Sequence, residues 1–220
     1  MKSTNTENKT ADQVASILYD IGSVILRLRQ PFRYDSGILS PVYTDNRLII
    51  SHPKERTKIV DLLIAKIKEI GIPDVVAGTA TAGIPHAAFI AQKLNIPMVY
   101  VRAEPKGHGK GNQIEGKITR GQKVLIIEDL VSTGGSSIRV AQALRKVGAE
   151  VTDELAIFTY GLAEAENNFK RNKIKLHTLT NLEHSASVAA KKGYLKKEHV
   201  KMILDWSKDP RGWGKKMGFE

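Results

Sequence analysis

Lys123-Val-Leu-Ile-Ile-Glu-Asp-Leu-Val-Ser-Thr-Gly-Gly-Ser136 is the stretch whose reading decides the fold. Four apolar residues, Val124 to Ile127, predict a buried parallel strand. Two carboxylates, Glu128 and Asp129, follow at its C-terminal end, and then a small-residue turn, Ser132-Thr133-Gly134-Gly135-Ser136. Ile138, Val140, Ala141 and Leu144 open a helix that Gly148 ends. Such a turn exposes backbone N–H groups, and the helix N-terminus adds its dipole, so the pattern predicts an anion site. It is neither a Gly-Lys-Ser/Thr phosphate loop nor a GxGxxG turn. Two carboxylates beside a phosphate cradle suit the hydroxyls of a ribose 5-phosphate.

The same strand–loop–helix order recurs upstream. Asp74 to Ala77 predicts a short buried strand, Gly78-Thr-Ala-Thr-Ala-Gly83 a second small-residue loop, and Pro85 to Leu94 a helix. Further strands are expected over Pro97–Arg102, Val151–Tyr160 and Ile174–Leu179. Helices are expected over Leu162–Lys170, Ser185–Lys191 and Lys197–Trp206. Toward the N-terminus, Thr10 with Gln13 forms a capping-box pattern. Val14, Ile17, Leu18, Ile21, Ile25 and Leu28 then recur at helical spacing until Pro31. Phe32 to Arg47 reads as a turn or hairpin with a short strand at Val42–Tyr43, dense in polar residues beside aromatics. A helix carrying Ile59, Leu62, Leu63, Ile67 and Ile70 starts at Ser51–Pro53 and ends at Gly71. Asp209 to Lys216 reads as loop.

Alternating strands and helices predict an α/β fold, a central mainly parallel sheet flanked by helices, with a small N-terminal hood region. Ligands in such sheets sit beyond the carboxyl ends of the strands, which brings loops 78–83, 103–120 and 129–136 to one edge. Residues 103–120 are glycine-rich and long enough to expect a functional loop. One domain is expected over 10–206, with a disordered tail at 1–9 and a C-terminal tail at 207–220.

The 220 residues suffice for one sizeable core, and an apolar content of 41% is that of a water-soluble globular chain. No apolar run approaches the roughly 18 residues of a membrane span, and Met1–Lys9 lacks a signal-peptide apolar region. With no cysteine there is neither disulfide nor thiolate chemistry, and a cytoplasmic location is expected. The net charge of +11 suits a polyanionic small substrate or a nucleic acid, but no RNA-binding signature of known type occurs. No nucleic-acid or membrane partner is therefore expected.

The segment 124–136 resembles the phosphoribosyl diphosphate (PRPP) motif of the type I phosphoribosyltransferases: four hydrophobic residues, then Glu-Asp-x-x-Ser/Thr-Thr-Gly-Gly-Ser. Over residues 10–206 the chain is similar to the orotate phosphoribosyltransferase family. The matching pieces are Phe32…Asp35-Ser-Gly…Ser40-Pro…Tyr43, Gly78 to His86, Tyr100-Val-Arg-x-x-x-Lys106-x-His108-Gly and Gly111-Asn-Gln-Ile-Glu-Gly116. The resemblance implies Mg²⁺-dependent transfer of a 5-phosphoribosyl group from PRPP to orotate, in pyrimidine (UMP) biosynthesis. It also implies a homodimer whose 103–116 loop reaches the neighbouring active site. The catalytic residues it implies are Arg102, Lys106 and His108, cations for the departing diphosphate. Glu128 and Asp129 would bind the ribose hydroxyls, Ser132, Thr133, Gly134, Gly135 and Ser136 the 5′-phosphate, and Thr79, Ala80, Thr81, Ala82 and Gly83 the diphosphate. For orotate it implies Tyr43 and Ser132, with Arg47 as a candidate. Metal-ligating side chains are not expected. An acid/base role for the Glu128–Asp129 pair is rejected, because neighbours on a strand point to opposite faces. Asp35, Ala82 and Ala103 stand where some members carry lysine, so the partner of the orotate carboxylate stays open. Two alternatives are a purine or xanthine phosphoribosyltransferase and a PRPP-sensing regulator that binds nucleic acid.

Overall fold

The computed structural model describes residues 5–34, 36–103 and 113–219. Helix α1, Asn5–Asp20, buries Ala11, Val14, Ala15, Ile17 and Leu18. It starts earlier and ends sooner than its periodicity predicts. Gly22, at φ +73°, lets the chain reverse, and Ser23 N–H donates to Leu18 O at 2.8 Å. The chain then enters β1, Val24–Leu26, where Ile25 is exposed rather than on a helix face. β1 pairs antiparallel with β4, Val42–Thr44, while β2, Phe32–Arg33, pairs with β3, Leu39–Ser40. These two small ribbons form the hood. A 3-10 turn, Asn46–Ser51, leads to α2, Pro53–Ile70, with proline in its first turn and Ile59, Val60, Leu63 and Ile67 buried.

The remaining chain builds the sheet. In order come β5 (Val75–Thr79), α3 (Gly83–Leu94), β6 (Met98–Val101), β7 (Ile114–Glu115), β8 (Lys123–Val131), α4 (Gly135–Lys146), β9 (Glu150–Thr159), α5 (Ala163–Arg171) and β10 (Lys175–Asn181). The strand order is β10-β9-β8-β5-β6-β7, parallel throughout except for the antiparallel edge strand β7. That strand lies inside the stretch read as a long loop, and only two of its residues pair with β6. Side chains alternate across the sheet. Leu125, Ile127, Leu155 and Ile157 face the cluster shared with α1, α2 and α3; Val124, Ile126 and Ala156 face α4 and α5. The architecture is thus the expected one, a mainly parallel sheet with helices on both faces.

The chain closes with α6 (Leu182–Lys191), α7 (Lys197–Lys208) and α8 (Pro210–Lys216). The last of these was expected as loop. Asp209 caps it by accepting from Gly212 N–H at 3.0 Å, Pro210 occupies its first turn, and Trp213 is buried against Phe219. Trp206 of α7 joins this end to the hood: its indole N–H donates to Leu39 O at 2.9 Å, and its ring meets Tyr160 and Tyr34 edge-on. Among the described residues no helix is long and apolar enough to cross a membrane.

Because Trp206 is almost wholly enclosed, Trp206→Ala is expected to cost about 3–5 kcal/mol in urea unfolding. Trp206→Phe, which keeps most of the ring packing, is expected to lose clearly less. Equal losses for the two would contradict the anchoring role.

Candidate active site

β8 is longer than its apolar core predicts. Its pairing with β5 stops at Ile127↔Gly78, yet its pairing with β9 runs on through Glu128↔Ala156 to Val131↔Thr159. The acid pair therefore lies within the strand, and the edge facing β5 is left open there. The 80–82 turn folds into that opening. Gly83 packs so close that a Cβ would sit 2.4 Å from Ile127 O and 3.5 Å from Glu128 Cα. The two small-residue loops thus share one wall, as the topology required.

Glu128 is buried and Asp129 half-buried. Asp129 N–H donates to Glu128 Oε1 at 3.0 Å. The Glu128 carboxyl thus turns back to the backbone of its neighbour at the open edge. Burial, then the charge of Asp129 and then that of Glu154, raises Glu128 well above the usual carboxylate range. Burial raises Asp129 too, against the stabilising hydrogen bond from Glu128. Both acids therefore ionise less readily than exposed carboxyls would.

Beyond it the chain bends through Ser132 and Thr133 into α4. Gly134 takes φ +79°, and a Cβ there would press to 2.8 Å on Phe169, so glycine is required on both counts. Asn168 of α5 holds the bend, its Nδ2 donating to Thr133 O at 2.9 Å. No side chain caps the N-terminus of α4, where Gly135 and Ser136 begin the helix, and none caps α3 at Ala82. Two helix N-termini without a side-chain cap thus lie beside the acid pair, although in α3 Ile84 N–H donates to Thr81 O at 3.3 Å and Pro85 has no N–H. In the 78–83 loop Ala80 N–H donates to Val101 O, the Ala80–Thr81 peptide is cis, and buried Thr79 Oγ1 has no partner among the described residues. His86, in the first turn of α3, is wholly buried and pushed down to about 4, hence neutral.

The hood supplies the opposite wall. Tyr43 of β4 is half-buried against the Phe32 ring, 5.4 Å away. Arg47 is exposed and grips Asp45 with two bonds of 2.6 and 2.8 Å, while its charge acts on Asp129. Asn46, unsuspected in the sequence, is buried and donates to Asp129 O at 2.7 Å; Ser23 Oγ lies 2.9 Å from its Oδ1. Its only sequence signal is its place in the polar-rich 32–47 segment. Arg102, at the end of β6, faces Glu115 at 3.3 Å, and its backbone N–H donates to Gln113 O. Lys106, His108 and Asp35 lie outside the described residues; Ala82 and Ala103 add no charge. Tyr160, just beyond β9, is buried behind the hood. Among the described residues no three His, Cys, Asp or Glu side chains gather as a metal site.

A second unforeseen residue is Glu154 of β9, wholly buried, with Ser137 Oγ donating to its Oε1 at 2.7 Å. Burial pushes it up to about 8. Its only signal in the sequence is its place, after Asp153, at the head of the apolar run Leu155–Phe158.

The family model of the phosphoribosyl transferase domain matches residues 49–203. An orotate phosphoribosyltransferase of Listeria monocytogenes is 52% identical over 204 residues, covering 92% of this chain and 98% of the relative. One from Coxiella burnetii is 48% identical over the same shares. The crystal structure of the orotate phosphoribosyltransferase of Aeropyrum pernix superposes with a TM-score of 0.71 at 31% identity, covering 83% of this chain and 99% of that one.

Two outcomes test this geometry. Gly83→Ala is expected to destabilise the protein by about 1–3 kcal/mol and to force the two loops apart, read by urea unfolding and by loss of anion binding. Glu154 titrates near 4.5 when unfolded and near 8 when folded, so its burial costs stability as pH rises through that window. Glu154→Leu is therefore expected to raise the melting temperature relative to wild type more at pH 8 than at pH 5. A pH-independent difference would contradict the assignment.

Proposed function

The chain belongs to the orotate phosphoribosyltransferases, enzymes of pyrimidine biosynthesis, and on that premise we propose how it acts: it transfers the 5-phosphoribosyl group of PRPP to N1 of orotate. The products are orotidine 5′-phosphate and diphosphate. The observation that carries this reading is the meeting of a buried acid pair with two uncapped helix N-termini at one strand end.

In the transfer the C1′–O bond of PRPP breaks, and its electron pair leaves with the diphosphate. Orotate N1 gives up its proton, which ends on the released diphosphate, and supplies the new pair to C1′. Positive charge grows on the ribose and negative charge on the leaving group, so rate is gained by holding the first and neutralising the second. The amides of Ser132 to Ser136 and the dipole of α4 hold the 5′-phosphate. Glu128 and Asp129 take the 2′- and 3′-hydroxyls. Their carboxyl oxygens accept from those hydroxyls. Amides of the 79–83 turn receive the diphosphate at the start of α3. Arg102, Lys106 and His108 add cations to it, with the 103–116 loop contributed across a homodimer. Closure of that loop keeps water from hydrolysing PRPP.

Tyr43 stacks on the pyrimidine and Ser132 bonds to it. Arg47 is the nearest candidate for the orotate carboxylate, an exchange of one carboxylate partner, Asp45, for another. A magnesium ion bound along with PRPP would add positive charge beside the departing diphosphate.

Ultraviolet assay with orotate, PRPP and Mg²⁺ is expected to show orotidine 5′-phosphate formation, and xanthine in place of orotate no product. Lys106→Ala is expected to lower kcat by roughly 10²–10³. An intact rate in that variant, or a preference for xanthine, would overturn the proposal.

A further inference from the structure

A glutamate enclosed in an apolar sheet face is an unusual choice for a core position. Glu154 stands on the α4 face of β9, opposite Ile126 of β8 and Leu176 of β10. Oε1 accepts from Ser137 at 2.7 Å, and Oε2 has no hydrogen-bond partner among the described residues. A valine or leucine there, with alanine at 137, would fill the space without leaving a polar side-chain atom unpaired. Two features connect the residue to the site. Ser137 is the third residue of α4, directly after the Gly135–Ser136 amides. Glu128 lies two residues beyond Ile126 on the same face of β8, close enough for the charge of Glu154 to act on it.

On the reading of the site given above, we propose that Glu154 is a positioning residue: through Ser137 it fixes the first turn of α4 beneath the phosphate cradle, and from the neighbouring strand it sets the charge state of the ribose-binding acids. The groups that face it are few. β8 presents Glu128, with Asp129 beyond. α4 presents Ser137 and then apolar Val140, Ala141 and Leu144; α5 presents Ala165 and Phe169; β10 presents Leu176 and Thr178. Asp153 and its partner His177 belong to the opposite face. Arg145 of α4 is a cation on this side, but its guanidinium is taken up by Val151 O and Asn172 O, so among the described residues no cation pairs with Glu154. Its protonated form leaves the cradle neutral underneath. Its ionised form adds a negative charge below a site that must accept a phosphate, and that charge makes Glu128 harder to ionise. Affinity for PRPP then falls as pH rises through the titration of Glu154, near 8.

The test is calorimetric PRPP binding to the full-length protein from pH 6.5 to 9.5. It does not depend on turnover: product formation from orotate tests the enzyme reading, and PRPP affinity tests this one. Glu154→Gln keeps an acceptor for Ser137 but cannot ionise. Wild type is expected to weaken toward alkaline pH on the order of three- to tenfold more than Glu154→Gln does. Ser137→Ala, a small change in a well-packed helix, is expected to weaken PRPP binding several-fold at every pH. Orotate affinity should move in neither variant. Parallel pH curves for wild type and Glu154→Gln, or unaltered PRPP affinity in Ser137→Ala, would overturn the proposal.

Discussion

Two carboxylates withdrawn from water on successive residues of one strand are the constraint around which the rest of this structure is arranged. Burying a pair of like charges is costly unless protons or partners offset it. The fold meets that cost locally. The Glu128 carboxyl accepts from the Asp129 N–H, Asn46 fixes the Asp129 backbone, and Arg47 stands near enough to temper its charge. The pair can sit there because β8 outruns β5 and remains paired only to β9. A strand with one open edge, two helix N-termini and a hood leaning over it make a cleft suited to a sugar bearing phosphates at both ends.

The hood is the less obvious half of the arrangement. It has little core of its own, since its strands are two or three residues long. It is held by contacts made elsewhere: Trp206 from α7 to Leu39, Tyr34 to Tyr160, and Asn46 to the end of β8. The C-terminal helices therefore bear on the site although they lie far from it in sequence.

Much of this could be read from the chain alone, and the misses have physical causes. The βα units were legible because buried parallel strands are short apolar runs and their loops are written in Gly, Ser and Thr. The excess length of β8 was not, since its final residues are polar and are paired by β9, a long-range contact that no local pattern encodes. α1 was drawn too far because Ile25 and Leu28 continue its period by coincidence, while Gly22 ends it. α8 carried a readable signal, Asp209 capping and Pro210 in the first turn, hidden by a run of glycine and lysine. Asn46 and Glu154 act through partners 83 and 17 residues away, so their roles appear only once the chain is folded.

The central claim is that the acid pair at the end of β8 reads the ribose hydroxyls while the turn beside it holds the 5-phosphate. Calorimetric binding of ribose 5-phosphate and 2-deoxyribose 5-phosphate, in wild type and in Asp129→Asn, tests it most directly. Wild type should bind the ribose compound more tightly by a clear margin, and Asp129→Asn should narrow that margin while both ligands keep their phosphate-dependent binding. Equal affinity of wild type for the two sugars, or a margin that Asp129→Asn leaves untouched, would contradict it.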